Sequence, residues 1–332
     1  MRVAIFNDTR STNHFGCELV MQNLERLLYS NGIDPVWLWP VGVDWRDAPE
    51  QLPTANDIDL IVVNGEGSMH HSGSRPRVDA LADVAELGKS LGVPSFLINA
   101  TLFNNEPNVY DKLRKFDGIY VRDSISLEEL SKYDIEGDYV PDLTFSTAID
   151  QQQYSRQGVL GIDSVLTDIS DAIQDFCQSQ GFDFLRMRRP AIRKKFIDRL
   201  LEKAIFNQRG RYKKDTETDV SVDWLLEHLQ SKEFVITGRY HAATMCILTR
   251  TPFFALESNT PKVSSMLSDV FASTNRLISI DKIKDSNSSF QSYSSFTLDE
   301  IEKIDMFIKD AENASGKMIE YIARYTRSAS SD

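Results

Sequence analysis

The sequence predicts an α/β fold of two Rossmann-like domains whose parallel sheets face a central cleft, with a C-terminal helix packing back. Three observations predict it. Short β-branched apolar runs alternate with helical segments, the pattern of a doubly wound parallel sheet. The alternation pauses at a polar stretch, Asp150–Gln157, and then restarts, placing one domain at 1–150 and a second at 158–296. Thr297-Leu-Asp-Glu300 is a capping box, so it opens a long last helix, 297–326.

In the first half, strands are expected at Arg2–Phe6, Pro35–Trp39, Asp59–Val63, Pro94–Asn99, Gly118–Val121 and near Tyr139–Val140. Helices fall between them at Cys17–Tyr29, ended by Gly32, near Arg77–Leu91, closed by Gly92, and at Ile125–Lys132. The second half reads as strand Val159–Ile162, helix Val165–Ser179, strand Phe182–Arg186, a basic helix Arg193–Phe206 and helix Val222–His228. Strand Phe234–Thr237, helix Ala242–Leu248, strand Phe253–Leu256, a helix opened by Pro261-Lys262 and a strand ending at Leu277–Ile280 follow. The Ser-rich stretch Asp285–Ser295 reads as a loop.

At 332 residues, 41% hydrophobic and 26% charged, the chain is long enough for two cores without disulfides or a structural metal. Its three cysteines, Cys17, Cys177 and Cys246, have no metal-ligand spacing and suit a reducing compartment. The N-terminus enters a strand directly and no run approaches a membrane-spanning length, so a cytoplasmic location is expected. The net charge of −12 argues against nucleic-acid binding. Segment 186–214 is the exception, with twelve Lys or Arg against two acids, and it suits peripheral contact with an anionic membrane or a lipid-linked acceptor.

Most of the chemistry gathers in Phe234–Lys262. A buried strand stops at Gly238, and a helix begins beside His241 with unpaired N–H groups, which favour an anion. Arg239 adds a planar fork of donors and His241 a group that exchanges protons near neutral pH. The same residues would also suit a plain structural role, with Arg239 paired to a carboxylate and His241 capping its helix. Against that, Pro252 opens a neighbouring strand and Lys262 a neighbouring helix, so three cationic or titratable groups reach one crevice at the sheet's carboxyl edge.

Gly238-Arg-Tyr-His241, Pro252 and Lys262 resemble the hallmark run of the polysaccharide pyruvyl transferase family. Shorter pieces are similar too: the glycine-rich loop Asn64-Gly-Glu-Gly-Ser-Met-His-His71, Arg122-Asp123 with Ser126, and Pro141-Asp142-Leu-Thr144, where Asp142 would order the cleft or an arginine. The loop after the first strand departs from the family's pattern, with Asn13, Gly16 and Glu18 present but Cys17 where an acid is expected. The resemblance implies a GT-B-like architecture and transfer of a pyruvyl group from phosphoenolpyruvate to sugar hydroxyls, as in exopolysaccharide synthesis. Phosphoenolpyruvate is then a co-substrate, and no other cofactor and no metal is expected.

On this reading the catalytic residues are His241, Arg239 and Glu66, and the donor lies on Arg122, Arg239, Tyr240, His241, Lys262 and Ser126. The acceptor sugar meets His14, Asn64, Gly65, Glu66, His70 and Asn99. Metal binding by His70-His71 is set aside because adjacent histidines point in different directions. Two rivals use the same residues: a GT-B glycosyltransferase holding a nucleotide-sugar diphosphate, and a non-catalytic module that senses an anionic metabolite.

Overall fold

The computed structural model describes residues 1–147, 149, 151, 155–189, 220–284 and 295–329. Six parallel strands form the first sheet: β1 (Arg2–Asp8), β2 (Asp34–Pro40), β3 (Leu60–Glu66), β4 (Ser95–Ala100), β5 (Gly118–Val121) and β6 (Asp138–Tyr139), in the order β2-β1-β3-β4-β5-β6. Four more, β7 (Val159–Ser164), β8 (Asp183–Leu185), β9 (Phe234–Gly238) and β10 (Phe253–Ala255), form the second in the order β10-β9-β7-β8, again parallel. The chain changes direction across the sheet between β1 and β3 and between β7 and β9. Each gap opens a crevice at the carboxyl ends of the strands, where open α/β sheets bind ligands.

The strands are apolar because both faces are covered, and β3, β4 and β9 are buried throughout. Helix Leu298–Ala329 ties the halves together. Ile304 and Ala311 join the core of the second sheet, while Met318, Ile319, Ile322 and Ala323 cover a face of the first. Each of the three larger side chains among those four contributes about 1.5–3 kcal/mol by burial. The opposite exchange happens at helix Phe15–Ser30, whose Phe15 and Leu19 sit in the core of the second sheet. Two elements crossing the junction hold the crevices facing each other.

Several local expectations change. The helix expected at 77–91 is two, Arg77–Ala82 and Val84–Leu91, broken at Asp83. Helix Pro107–Leu113 was not anticipated, although Pro107 in its first turn is a start signal. The strand ending near 277–280 is a single bridge from Leu277 to Ala255, followed by helix Ile280–Lys284. The basic helix at 193–206 and nearly all of the Ser-rich loop lie outside the described residues.

Candidate active site

Helix Tyr240–Leu248 begins directly after β9, two residues earlier than its apolar run suggests, so Arg239 is its N-cap and His241 lies in its first turn. Gly238 is required by close approach: a Cβ there would lie 2.4 Å from the Cβ of Ser164 on β7. Arg239 turns back to the end of β7, where Nε donates to Asp163 Oδ1 at 3.0 Å and Nη2 donates to Oδ2. The carboxylate pairing that a structural role foresees is therefore present. Nη1 of Arg239 has no protein acceptor among the described residues.

His241 does not cap its helix. It crosses the cleft, and its Nε2 lies 3.6 Å from Asp142 Oδ2 and 3.5 Å from Arg122 Nη1. Arg122, at the end of β5, donates from Nη1 to the same Oδ2 at 2.7 Å and from Nε to Thr101 Oγ1 at 2.8 Å. Its Cζ stands 4.4 Å above the centre of the Tyr240 ring. The Arg122 and Asp142 side chains are 1% and 0% exposed. Burial alone would raise the Asp142 carboxyl, but Arg122 and His241 hold it well below the usual range. Burial, the largest influence, opposes the Arg122 charge too, but Asp142, Tyr240, Asp123 and Glu66 together outweigh it and keep the guanidinium charged.

Lys262 opens helix Lys262–Phe271 and donates to Asn259 Oδ1 at 2.9 Å. Burial, then the Arg122 and Arg75 charges, push its ammonium down to about 7. Arg75 was missed at the sequence level. Its Nη1 donates to Gly67 O at 3.2 Å and lies 2.8 Å from His70 Nε2. Burial and Arg75 push the His70 imidazole down to about 3, so that ring stays neutral at physiological pH. A Cβ on Gly67 would stand 3.7 Å from Arg122 Nη2 and 4.0 Å from Lys262 Nζ. The missing side chain leaves a gap bordered by two cations, and Arg122 Nη2 has no acceptor among the described residues.

Ser126 is not in this gap. It is fully buried, with Oγ donating to Asp123 Oδ1 at 2.6 Å and accepting from Leu102 N at 2.8 Å, so it builds the turn that presents Arg122. Asn64, Gly65 and Asn99 also move from contact to scaffold. Asn64 and Asn99 are 0% and 3% exposed and bonded to each other at 3.3 Å, and a Cβ on Gly65 would meet Ala100 Cβ at 2.5 Å.

Asn7, Glu66 and Asn99, at the ends of β1, β3 and β4, have φ of 67°, 38° and 55°. Left-handed backbone at non-glycine residues on three adjacent strand ends is strain concentrated where ligands bind. Glu66 Oε1 accepts from Thr9 Oγ1 at 2.5 Å and from Asn64 Nδ2 at 2.7 Å, which fixes the carboxylate at the floor of the cleft.

His14 caps helix Phe15–Ser30, its Nδ1 accepting from Gly16 N at 3.1 Å, which puts the ring proton on Nε2. Its ring centre is 5.6 Å from that of His241, and burial and that neighbour push its pKa well down. His70 and His71 do converge, contrary to expectation, with their Nδ1 atoms 2.7 Å apart, because His71 has a φ of 56° that turns both rings to one side. His14, Cys17 and His241 bring one ligand-type atom each within 4.8 Å of one another. A metal there would have to displace the His14 cap on Gly16. Burial and Glu66 push the Cys17 thiol well up.

Two cavities flank the crevice of the first sheet. One of about 500 Å³ is lined by Asn7, Trp39, Trp45, Ser68, Arg75 and Arg77, and the other, of about 460 Å³, by Thr12, Asn13, Arg77, Arg188 and Arg189 among others. The tryptophans were not singled out from the sequence, although three of the chain's four fall at positions 37, 39 and 45.

A family model described as polysaccharide pyruvyl transferase matches residues 14–260. None of the curated proteins matches the chain. Among solved structures, an uncharacterized protein of Klebsiella pneumoniae superposes with a TM-score of 0.52 at 10% identity, over 84% of this chain and 92% of that one. A spinosyn rhamnosyltransferase complexed with thymidine diphosphate gives 0.50 at 11% identity, over 97% and 100%. The UDP-GlcNAc 2-epimerase of Methanocaldococcus jannaschii gives 0.49 at 14% identity, over 98% and 100%. At these identities the first two likenesses are ones of fold alone, the GT-B arrangement. No helix among the described residues is long and apolar enough to cross a membrane.

Proposed function

We propose, for a chain that belongs to the polysaccharide pyruvyl transferase family, that it moves the pyruvyl group of phosphoenolpyruvate onto two hydroxyls of a sugar in a polysaccharide or glycan precursor. The product is a pyruvate ketal and the by-product phosphate. One observation carries this reading: a guanidinium from the first sheet and an imidazole from the second share Asp142 Oδ2, beside a buried lysine whose pKa is about 7.

Phosphoenolpyruvate carries a carboxylate and a phosphate close together, and needs several fixed cations around a small volume. Arg122 Nη2 and Lys262 Nζ border the gap at Gly67, Arg75 donates to Gly67 O, and Arg239, held by Asp163 on the second sheet, has Nη1 without an acceptor among the described residues. In the reaction C3 gains a proton, an acceptor hydroxyl oxygen bonds to C2, the C2–O bond to phosphate breaks, and a second hydroxyl closes the ketal. Of the two hydroxyl protons, one balances that gained by C3 and the other leaves with phosphate. His241 is the main acid/base, oriented by Asp142, and Glu66 takes the acceptor proton, while His14, whose Nδ1 is committed to Gly16 N, offers the acceptor its Nε2–H. In this reading no metal takes part, because side chains handle both the protons and the leaving phosphate.

Thermal unfolding separates this donor from its rival. Phosphoenolpyruvate should raise the melting temperature of the wild-type protein and lose that effect in Lys262→Met. A rise with a nucleotide sugar and none with phosphoenolpyruvate would move the assignment to glycosyl transfer.

A further inference from the structure

We propose that the cavity of about 460 Å³ between the two halves is an oxyanion site for a phosphate or carboxylate carried by the acceptor, so that the sugar to be modified is anionic. The proposal rests on the pyruvyl-transfer reading for the word acceptor, and on the cavity alone for the oxyanion.

Among the described residues, Ser11, Thr12, Asn13, Arg77, Arg188 and Arg189 supply every polar side chain of its lining, and none of these is acidic. In a chain of net charge −12, a cavity whose wall holds three arginines and, among the described residues, no carboxylate selects for an anion. Arg189 is committed, its Nη2 to Glu18 and its Nη1 to Val220 O at 2.7 Å. Arg77 and Arg188 are exposed and have no carboxylate partner among the described residues. Asn13 Oδ1 is buried without a hydrogen-bond partner among the described residues, so the wall also holds an acceptor suited to a hydroxyl.

The rim is built rather than incidental. Arg189 N donates to Asn13 O at 3.0 Å and Phe15 N to Met187 O at 3.2 Å, which clasps the loop after β1 to the strand segment carrying Arg188. Gly42, at a φ of 85°, lets Arg77 lie along the wall, its Nη1 3.5 Å from where a Cβ would be. Val41, Gly42 and Arg77 also line the cavity of Trp39 and Trp45, so the two spaces adjoin. An oxyanion held by the Arg77 and Arg188 forks thus places the attached sugar against aromatic walls and next to Asn7 and Ser68, beside the end of β3 that carries Glu66.

The test is calorimetry on the full chain with two probes, inorganic pyrophosphate and methyl β-glucuronide, each with and without saturating phosphoenolpyruvate, on wild type, Arg77→Gln, Arg188→Gln and the double variant. Melting curves check that the variants fold, which both exposed positions should allow. At least one probe is expected to bind wild type in the presence of phosphoenolpyruvate, about tenfold more weakly in each single variant, with phosphoenolpyruvate affinity unchanged. Preference for pyrophosphate identifies a phosphate-linked acceptor, and preference for the glucuronide an acidic sugar. Neither probe distinguishing wild type from the double variant overturns the proposal, as does an equal loss of phosphoenolpyruvate affinity, which would make the cavity part of the donor site. If phosphoenolpyruvate itself does not bind, the donor reading fails while the probes' dependence on Arg77 and Arg188 still decides this one.

Discussion

Gly16 and His241 touch with no space between them: a Cβ on Gly16 would lie 2.2 Å from the Cβ of His241 and 2.6 Å from its Nδ1. The first turn of one domain's helix is thus the wall that aims the other domain's imidazole. Gly16→Ala should displace that imidazole. We expect a loss of about 1–3 kcal/mol in stability by overpacking and a fall in kcat of about 100-fold from misplacement of the ring. Parallel denaturant melts and kinetics check this, and an alanine variant with wild-type kcat would show that His241's position is not what the glycine protects.

Asp142→Asn leaves the buried Arg122 charge without its counter-ion and His241 without its orienting carboxylate. Breaking a buried pair from one side costs about 3–5 kcal/mol, and we expect kcat to fall with it. The pH dependence gives a second check. Because the Asp142 carboxyl sits below its usual range, its contribution to stability is complete above about pH 4 and is lost as pH falls below that. The variant should show a shallower acid limb in urea melts.

Lys262, at about 7 in the free protein, should be raised by a bound anion. Donor binding near pH 8 then takes up a proton. The apparent Kd should be flat below pH 7 and weaken up to about tenfold per unit above it. Calorimetry in two buffers of different ionisation enthalpy reads the proton directly, and Lys262→Met should abolish both the uptake and the slope.

Arg75→Gln removes one of the charges that depress Lys262. The inflection in donor affinity should move to higher pH, while affinity at low pH falls because a donor cation is gone. A variant that loses affinity without moving the inflection would place Arg75 outside the electrostatic reach of the lysine.

Much of this was legible in the sequence. Strand alternation, the pause at 150–157 and the capping box anticipated two parallel sheets and the returning helix, because covered strands must be apolar and helix starts must be capped. Arg122, His241 and Lys262 were recognisable since each follows a strand end or opens a helix, where direction is set by local chemistry. What stayed hidden depends on partners far away in the chain. Asp163 holds Arg239 from 76 residues upstream, and the hydrogen bond that Asn99 donates to Asn64 buries groups that look available to a sugar. Arg75 lies in irregular chain after the glycine-rich loop, where no period marks which way a side chain points. His71 defeated the alternation rule by one left-handed φ.

The measurement that bears most directly on the central claim is phosphate release from phosphoenolpyruvate by the purified protein, with a panel of galactosyl, N-acetylhexosaminyl and phosphate-linked sugar acceptors, for wild type and His241→Ala. Release is expected only when an acceptor is present, with a pyruvate ketal formed on that acceptor, and both should be lost in the variant. Acceptor-dependent release that His241→Ala leaves at the wild-type rate would contradict it, as would transfer from a nucleotide sugar by a protein that does not bind phosphoenolpyruvate.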